Sequence, residues 1–161
     1  MIDRAWIAAA IPHQGDMCLL DSVIEWDNEN IICLAKSHRD KCNPLAIDGV
    51  LGITAGIEYA AQAMAVHGAL LATAASVDEK SAPKAGYLTS VRDVKWHVER
   101  LDNLTDDLTV QAECIAASDA TLLYRFNVSA VNKIILIGRA SVLIDVEALR
   151  RDDANSRPNP S

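Results

Sequence analysis

Residues 54–74 constrain the fold more than any other stretch. They are rich in good helix formers, interrupted after their start by Gly68, and carry almost no side chain that water would require. A helix apolar nearly all round has no solvent face, so the rest of the chain must cover it. Only Glu58, Gln62 and His67 bring strongly polar side chains to it. Glu58 and Gln62 are four positions apart and stack on one face, one turn from each other, while His67 looks roughly the opposite way. Burying an ionised carboxylate without partners is costly, so Glu58 is paired, protonated, facing a cavity, or placed on an exposed helix edge as most glutamates are.

The flanking segments show what does the covering. DRAWIAAAI, residues 3–11, reads as a short helix ended by Pro12. MCLLDSVIEW begins a strand, Asp27 to Asn30 supply turn chemistry, and IICLAKSH returns as the second strand of a hairpin. RDKCNPLAIDGVLG is a loop by its Asp, Asn, Pro and Gly content and leads into the long helix, capped by Asp48 or Thr54. After the polar connection SVDEKSAPKAG everything is strand. VKWHVE alternates apolar Val94, Trp96 and Val98 with Lys95, His97 and Glu99, and LDNLTDD breaks it. LTVQAECIAA, TLLYRFNVSAV and IILIGRASVLIDV continue as antiparallel strands. The expected class is α+β, an antiparallel sheet wrapped around one apolar helix. A single domain over residues 1–147 is expected, with residues 148–161 a polar, proline-containing and disordered tail.

At 161 residues, half of them hydrophobic, the chain can bury one good core and not two. A net charge of −7 with no basic, aromatic-interleaved stripe argues against nucleic acid. Lys36, Arg39 and Lys41 form the one compact basic group, read most simply as a solvated loop unless a site lies beside it. MIDRAWIAAAIPH lacks the features of a signal peptide, and no run reaches the roughly 18 apolar residues of a membrane span. A soluble, cytoplasmic protein without membrane contact is the expectation. Cys18, Cys33, Cys42 and Cys114 show no C-x-x-C pair, which reads as reduced thiols and no metal site.

Several blocks, in order over roughly residues 2–146, carry a family resemblance. IPHQGDMCLLDSVIEW resembles the opening of the FabZ-type 3-hydroxyacyl-acyl carrier protein dehydratases, L-P-H-R-Y-P-F-L-L-V-D-R-V, with Pro12, His13, Leu19, Leu20, Asp21 and Val23 in register. GIEYAAQAM is similar to that family's E-A-M-A-Q helix, with Glu58 and Gln62 at the same spacing. GYLTSVRDVKWHVERLDNLTDDLTVQAE and GRASVL look like later strands of the family. SHRDKCNPL together with GIEYAAQAMAVHGAL looks closest to the dehydratase-like proteins associated with aryl polyene pigment clusters.

The resemblance implies the hot-dog fold, usually a dimer with active sites at the subunit interface. It implies a substrate carried on the phosphopantetheine of acyl carrier protein, in fatty acid or polyene-type biosynthesis, and no cofactor. It places the catalytic histidine at His38 and the helix carboxylate at Glu58, acting across a homodimer or heterodimer interface. A neutral imidazole is an apt base for the C2 proton of a 3-hydroxyacyl thioester. A carboxyl kept protonated by apolar neighbours can protonate the departing 3-hydroxyl. Gln62 would orient Glu58. Gly49 and Val50 match the family's G-V, and amides near the helix start would hold the thioester oxygen. Lys36, Arg39 and Lys41 would suit the acidic carrier protein.

This chain departs from the family loop H-F-P-G-x-P-x-x-P-G-V, with Arg39 and Asp40 where Phe and Pro stand and four extra residues between Val50 and Glu58. That departure keeps two rivals open, a non-catalytic hot-dog subunit paired with an active dehydratase and a hot-dog acyl thioesterase. The remaining histidines have plainer readings. His13 is a structural hydrogen-bonding residue, His67 a satisfied core histidine, and His97 lies on the polar side of its strand. Met64, Val66, Leu70 and Leu71 form core, part of which could line an acyl tunnel.

Overall fold

The computed structural model describes residues 1–75 and 86–144. Most of the polar connection, residues 76–85, and the tail at residues 148–161 lie outside the described residues. The chain opens with β1 (Ile2–Asp3) and α1 (Arg4–Ala10), where the Asp3 carboxylate caps the helix by accepting the Trp6 N–H at 3.0 Å. A short 3-10 turn at Gly15–Met17 leads into the hairpin of β2 (Ser22–Trp26) and β3 (Asn30–Ala35). Asp27 shapes that hairpin, its Oδ1 accepting the amides of Glu29 and Asn30, each at 2.8 Å. A second 3-10 turn, Ser37–Arg39, precedes α2 (Ala55–Ala75), and β4 (Gly86–Trp96), β5 (Leu108–Ala117), β6 (Thr121–Ala130) and β7 (Lys133–Ile144) follow.

The strands form one antiparallel sheet in the order β1-β2-β3-β5-β6-β7-β4. Alternation sends Val110, Ala112, Tyr124, Phe126 and Val128 inward, and α2 packs on β3, β5 and β6 with Tyr59, Ala63, Val66 and Leu70 buried. Each large apolar side chain sealed this way contributes about 1.5–3 kcal/mol. The approach is close, since a Cβ at Gly56 would lie 2.6 Å from Leu136 Cδ2.

His67 is the satisfied core histidine expected. A carbonyl can only accept, so Nε2–H donates to Asp27 O at 2.9 Å, and Nδ1 then takes the Tyr124 O–H, also at 2.9 Å. Burial pushes its pKa down.

The question of the cap resolves against Asp48. The helix opens at Ala55, immediately after Thr54, whereas Asp48 and Gly49 form a separate tight turn with φ of 52° and 76° that closes the Ile47–Val50 bridge. An Asp-Gly pair suits positive φ at both central positions.

The strand after the helix also differs from its sequence reading. β4 starts at Gly86 and ends at Trp96, so His97 to Glu99 fall outside it, and of the three alternating apolar residues Val94 and Val98 pack half-buried against the core while Trp96 is exposed. Asp93, at φ 55°, sits in an irregularity between Arg92 and Lys95 that breaks the simple alternation. β4 is an edge strand, and Tyr87 and Leu88 are exposed along it as well. On the outer face, Arg125, Arg139 and Arg92 stand directly opposite one another across β6, β7 and β4.

Candidate active site

The polar face of α2 is built by the segment that Pro12 turns back from α1. Gln62 is fully buried there and ties the helix to that segment, its Nε2 donating to Met17 O at 2.7 Å and its Oε1 accepting Leu19 N–H at 2.9 Å. It also donates to Glu58 Oε1 at 3.2 Å, one helical turn away. His13 arrives from the same segment and places Nε2 2.9 Å from that same Oε1. No hydrogen bond among the described residues reaches Glu58 Oε2, and the side chain is 32% exposed.

His38 lies in the Ser37–Arg39 turn. A chain of hydroxyls fixes that turn. Asn43 Nδ2 donates to the Tyr59 hydroxyl at 3.2 Å, Tyr59 bonds Ser37 Oγ at 2.7 Å, and Ser37 Oγ donates to Leu19 O at 2.7 Å. His38 Nε2 is 3.3 Å from Leu104 O, which makes Nε2 the protonated nitrogen and leaves the lone pair on Nδ1. That Nδ1 is buried without a partner. Burial, reinforced by the Arg39 guanidinium, pushes the His38 pKa down, so the ring is held neutral. Only 1% of His38 is exposed, and no hydrogen bond among the described residues links it to Glu58.

Residues 101–107, a simple breaker in the sequence, are the platform beneath this turn. Leu104 holds His38, while Arg39 donates to Thr105 O at 2.8 Å and to Asp107 Oδ1 at 2.7 Å. Asp102 receives Leu51 N–H at 2.9 Å, and its pairing with Arg100 lowers its pKa to about 2. The three residues expected to contact the carrier therefore differ. All three are exposed, but Arg39 is paired to Asp107. Beside them opens a charged cleft of about 390 Å³ bordered by Arg4, Asp21, Lys36, Arg39, Asp40 and Asn43.

The amides considered as oxyanion donors are mostly occupied. Val50 N–H closes the turn onto Ile47 O at 3.0 Å, and the amides of Ala55, Gly56 and Ile57 donate to Gly52, Ile53 and Thr54. Gly49 is at the turn's tip. All four cysteines are free, no group of three or more potential metal ligands occurs among the described residues, and no described helix is long and apolar enough to cross a membrane.

A family model described as ApeP dehydratase, ApeP-like, matches residues 5–149. The chain belongs to the ApeP-like dehydratase family. No curated protein matches it. Among solved structures, this ApeP-like chain is similar to the dehydratase heterocomplex ApeI:P from Xenorhabdus doucetiae, with 22% identity, 89% of this chain and 95% of that chain covered, and a TM-score of 0.75. A mutant of the thioesterase PA1618 from Pseudomonas aeruginosa is similar at 16% identity, with 88% and 93% covered and a TM-score of 0.59. A mutant of the phenylacetic acid degradation protein PaaI from Thermus thermophilus follows at 14% identity, 76% and 90% covered, and 0.52. These likenesses establish the hot-dog fold expected from the resemblance, a sheet wrapped around α2.

Sequence reasoning missed two features of this site. The partner of Glu58, His13, lies forty-five positions away, and only the Pro-His pair hinted at it. The Ser37, Asn43 and Tyr59 chain has no spacing signature at all.

Proposed function

We propose that this ApeP-like chain dehydrates 3-hydroxyacyl thioesters carried on the phosphopantetheine of acyl carrier protein, giving trans-2-enoyl thioesters in fatty acid or polyene-type biosynthesis. The observation that carries this reading is Glu58, a partly exposed carboxyl on the central helix held through Oε1, with no hydrogen bond to Oε2 among the described residues. His38 Nδ1 takes the C2 proton. Glu58 delivers a proton to the 3-hydroxyl as the C3–O bond breaks, water leaves, and proton exchange through solvent resets both groups.

The two groups meet across a subunit pair. The β4 edge, eleven residues with no strand beside them on one side among the described residues, supports pairing with a second hot-dog chain. The similar Xenorhabdus structure is a heterocomplex, which supports a partner of different sequence over a second copy. Lys36 and Lys41 contact the carrier protein, Arg39 shapes the turn behind them, Gly49 borders the substrate, and the buried Gln62 stands behind Glu58. The reaction runs in the cytoplasm and draws both proton transfers from side chains.

Incubation with a 3-hydroxyacyl carrier substrate, followed by mass spectrometry, tests this. Loss of about 18 mass units, one water, that His38→Ala or Glu58→Gln abolishes supports both roles.

One observation favours a second reading. His38 is almost wholly covered in its own chain, and a base that stays covered cannot touch substrate. In that reading the chain is the supporting subunit of an active partner. Dehydration by the complex that survives His38→Ala in this chain is its signature.

A further inference from the structure

We infer that His13 is a positioning residue for Glu58, holding Oε1 so that the acid proton resides on Oε2. The inference rests on the dehydratase reading of Glu58 and adds to it which oxygen reacts and what fixes it.

The Gln62 amide nitrogen can only donate, so Oε1 is an acceptor. His13 Nε2 meets the same oxygen at 2.9 Å, the shorter of the two contacts. Oε1 is the oxygen that Gln62 donates to and that His13 Nε2 faces, so in the protonated acid it is the carbonyl-like one and the proton sits on Oε2. Gln62 is a weak orienter by itself, because the same nitrogen also donates to Met17 O at 2.7 Å. Glutamate on a helix edge has three rotatable bonds, and catalytic geometry needs such groups held within a fraction of an ångström. His13 supplies the second fixed point.

His13 is itself well held. Pro12 fixes the backbone before it, and Met17 and Leu19, which bracket the other end of its segment, are bonded to Gln62. Among the described residues its buried Nδ1 has no partner and its one polar contact is Glu58. An unpaired buried nitrogen in a merely structural histidine would be a cost without return.

The test compares wild type, His13→Ala and His13→Gln, in complex with the hot-dog partner where one copurifies. Removing such a supporting group lowers activity about 10–100-fold. We expect His13→Ala to lower kcat by that factor with KM within about twofold, as loss of a group that acts only on the reacting carboxyl requires. His13→Gln, whose amide N–H can replace the donor, should recover most of kcat, with melting temperatures close to wild type in both. Unchanged kcat in His13→Ala overturns the inference. Equal losses in both variants, tracking a fall in melting temperature, overturn it too by showing a structural role. The His13 Nε2–H resonance separates this from failure of the dehydratase reading, since it reports the bond without turnover. It should be present in wild type and lost in Glu58→Ala, and its absence in wild type contradicts the inference whatever the activity.

Discussion

Gln62 Oε1 accepts the Leu19 N–H at 2.9 Å, joining the buried helix to a segment forty-three positions earlier. The same side chain donates to Met17 O, so Gln62→Ala leaves a buried amide and a carbonyl without partners. An unsatisfied buried group costs about 1–3 kcal/mol, and the expected loss is about 2–4 kcal/mol in urea unfolding. A loss below about 0.5 kcal/mol, the size of an ordinary surface change, would contradict this placement of Gln62.

Acid should destabilise the fold through two histidines. Burial holds the pKa of His67 below the usual value, and burial with Arg39 does the same for His38. The unfolded chain titrates at about 6.5, so on acidification it binds protons before the folded state does. The stability these rings contribute is therefore complete above about pH 6.5 and is lost as pH falls through their folded values. Urea midpoints should be flat from about pH 7 to 8 and fall toward pH 5, less steeply in His67→Gln. A wild-type midpoint that stays level down to about pH 5 argues against it.

Tyr59→Phe removes the hydroxyl that joins Asn43 to Ser37 while leaving the ring in the core. One lost hydrogen bond predicts about 1 kcal/mol of destabilisation. Because Ser37 precedes His38, a lowered kcat should accompany it. Full activity in a destabilised Tyr59→Phe would show that the turn does not depend on this chain of hydroxyls.

Arg139 stands between Arg125 and Arg92 in cross-strand register, with Arg125 already paired to Glu113 at 3.1 Å. Like charges directly opposite are destabilising, so Arg139→Glu should raise stability by about 0.5–1 kcal/mol at low salt. The gain should shrink at about 1 M salt, where screening is nearly complete. A gain independent of salt would point to a cause other than charge.

Much of this fold was legible because apolar residues announce their partners. Residues 54–74 lack a solvent face, and β5 and β6 alternate cleanly, so a sheet around a helix followed directly. The end of β4 was not legible, since the bulge at Asp93 and the outward Trp96 of an edge strand disturb the period that marks a strand. At the site, the Glu58–Gln62 contact was readable because four residues make one helical turn. His13 meeting Glu58, and Leu104 meeting His38, depend on how distant loops fold back, and no local period encodes that.

The central claim is that His38 and Glu58 supply the two proton transfers of a dehydration. The most direct measurement is mass spectrometry of a 3-hydroxyacyl carrier substrate after incubation with wild type, His38→Ala and Glu58→Gln, alone and with a copurifying hot-dog partner. The account predicts enoyl product from wild type and its loss in both variants, with folding intact. Undiminished dehydration in either variant, or release of free carrier thiol in place of an enoyl thioester, would contradict it.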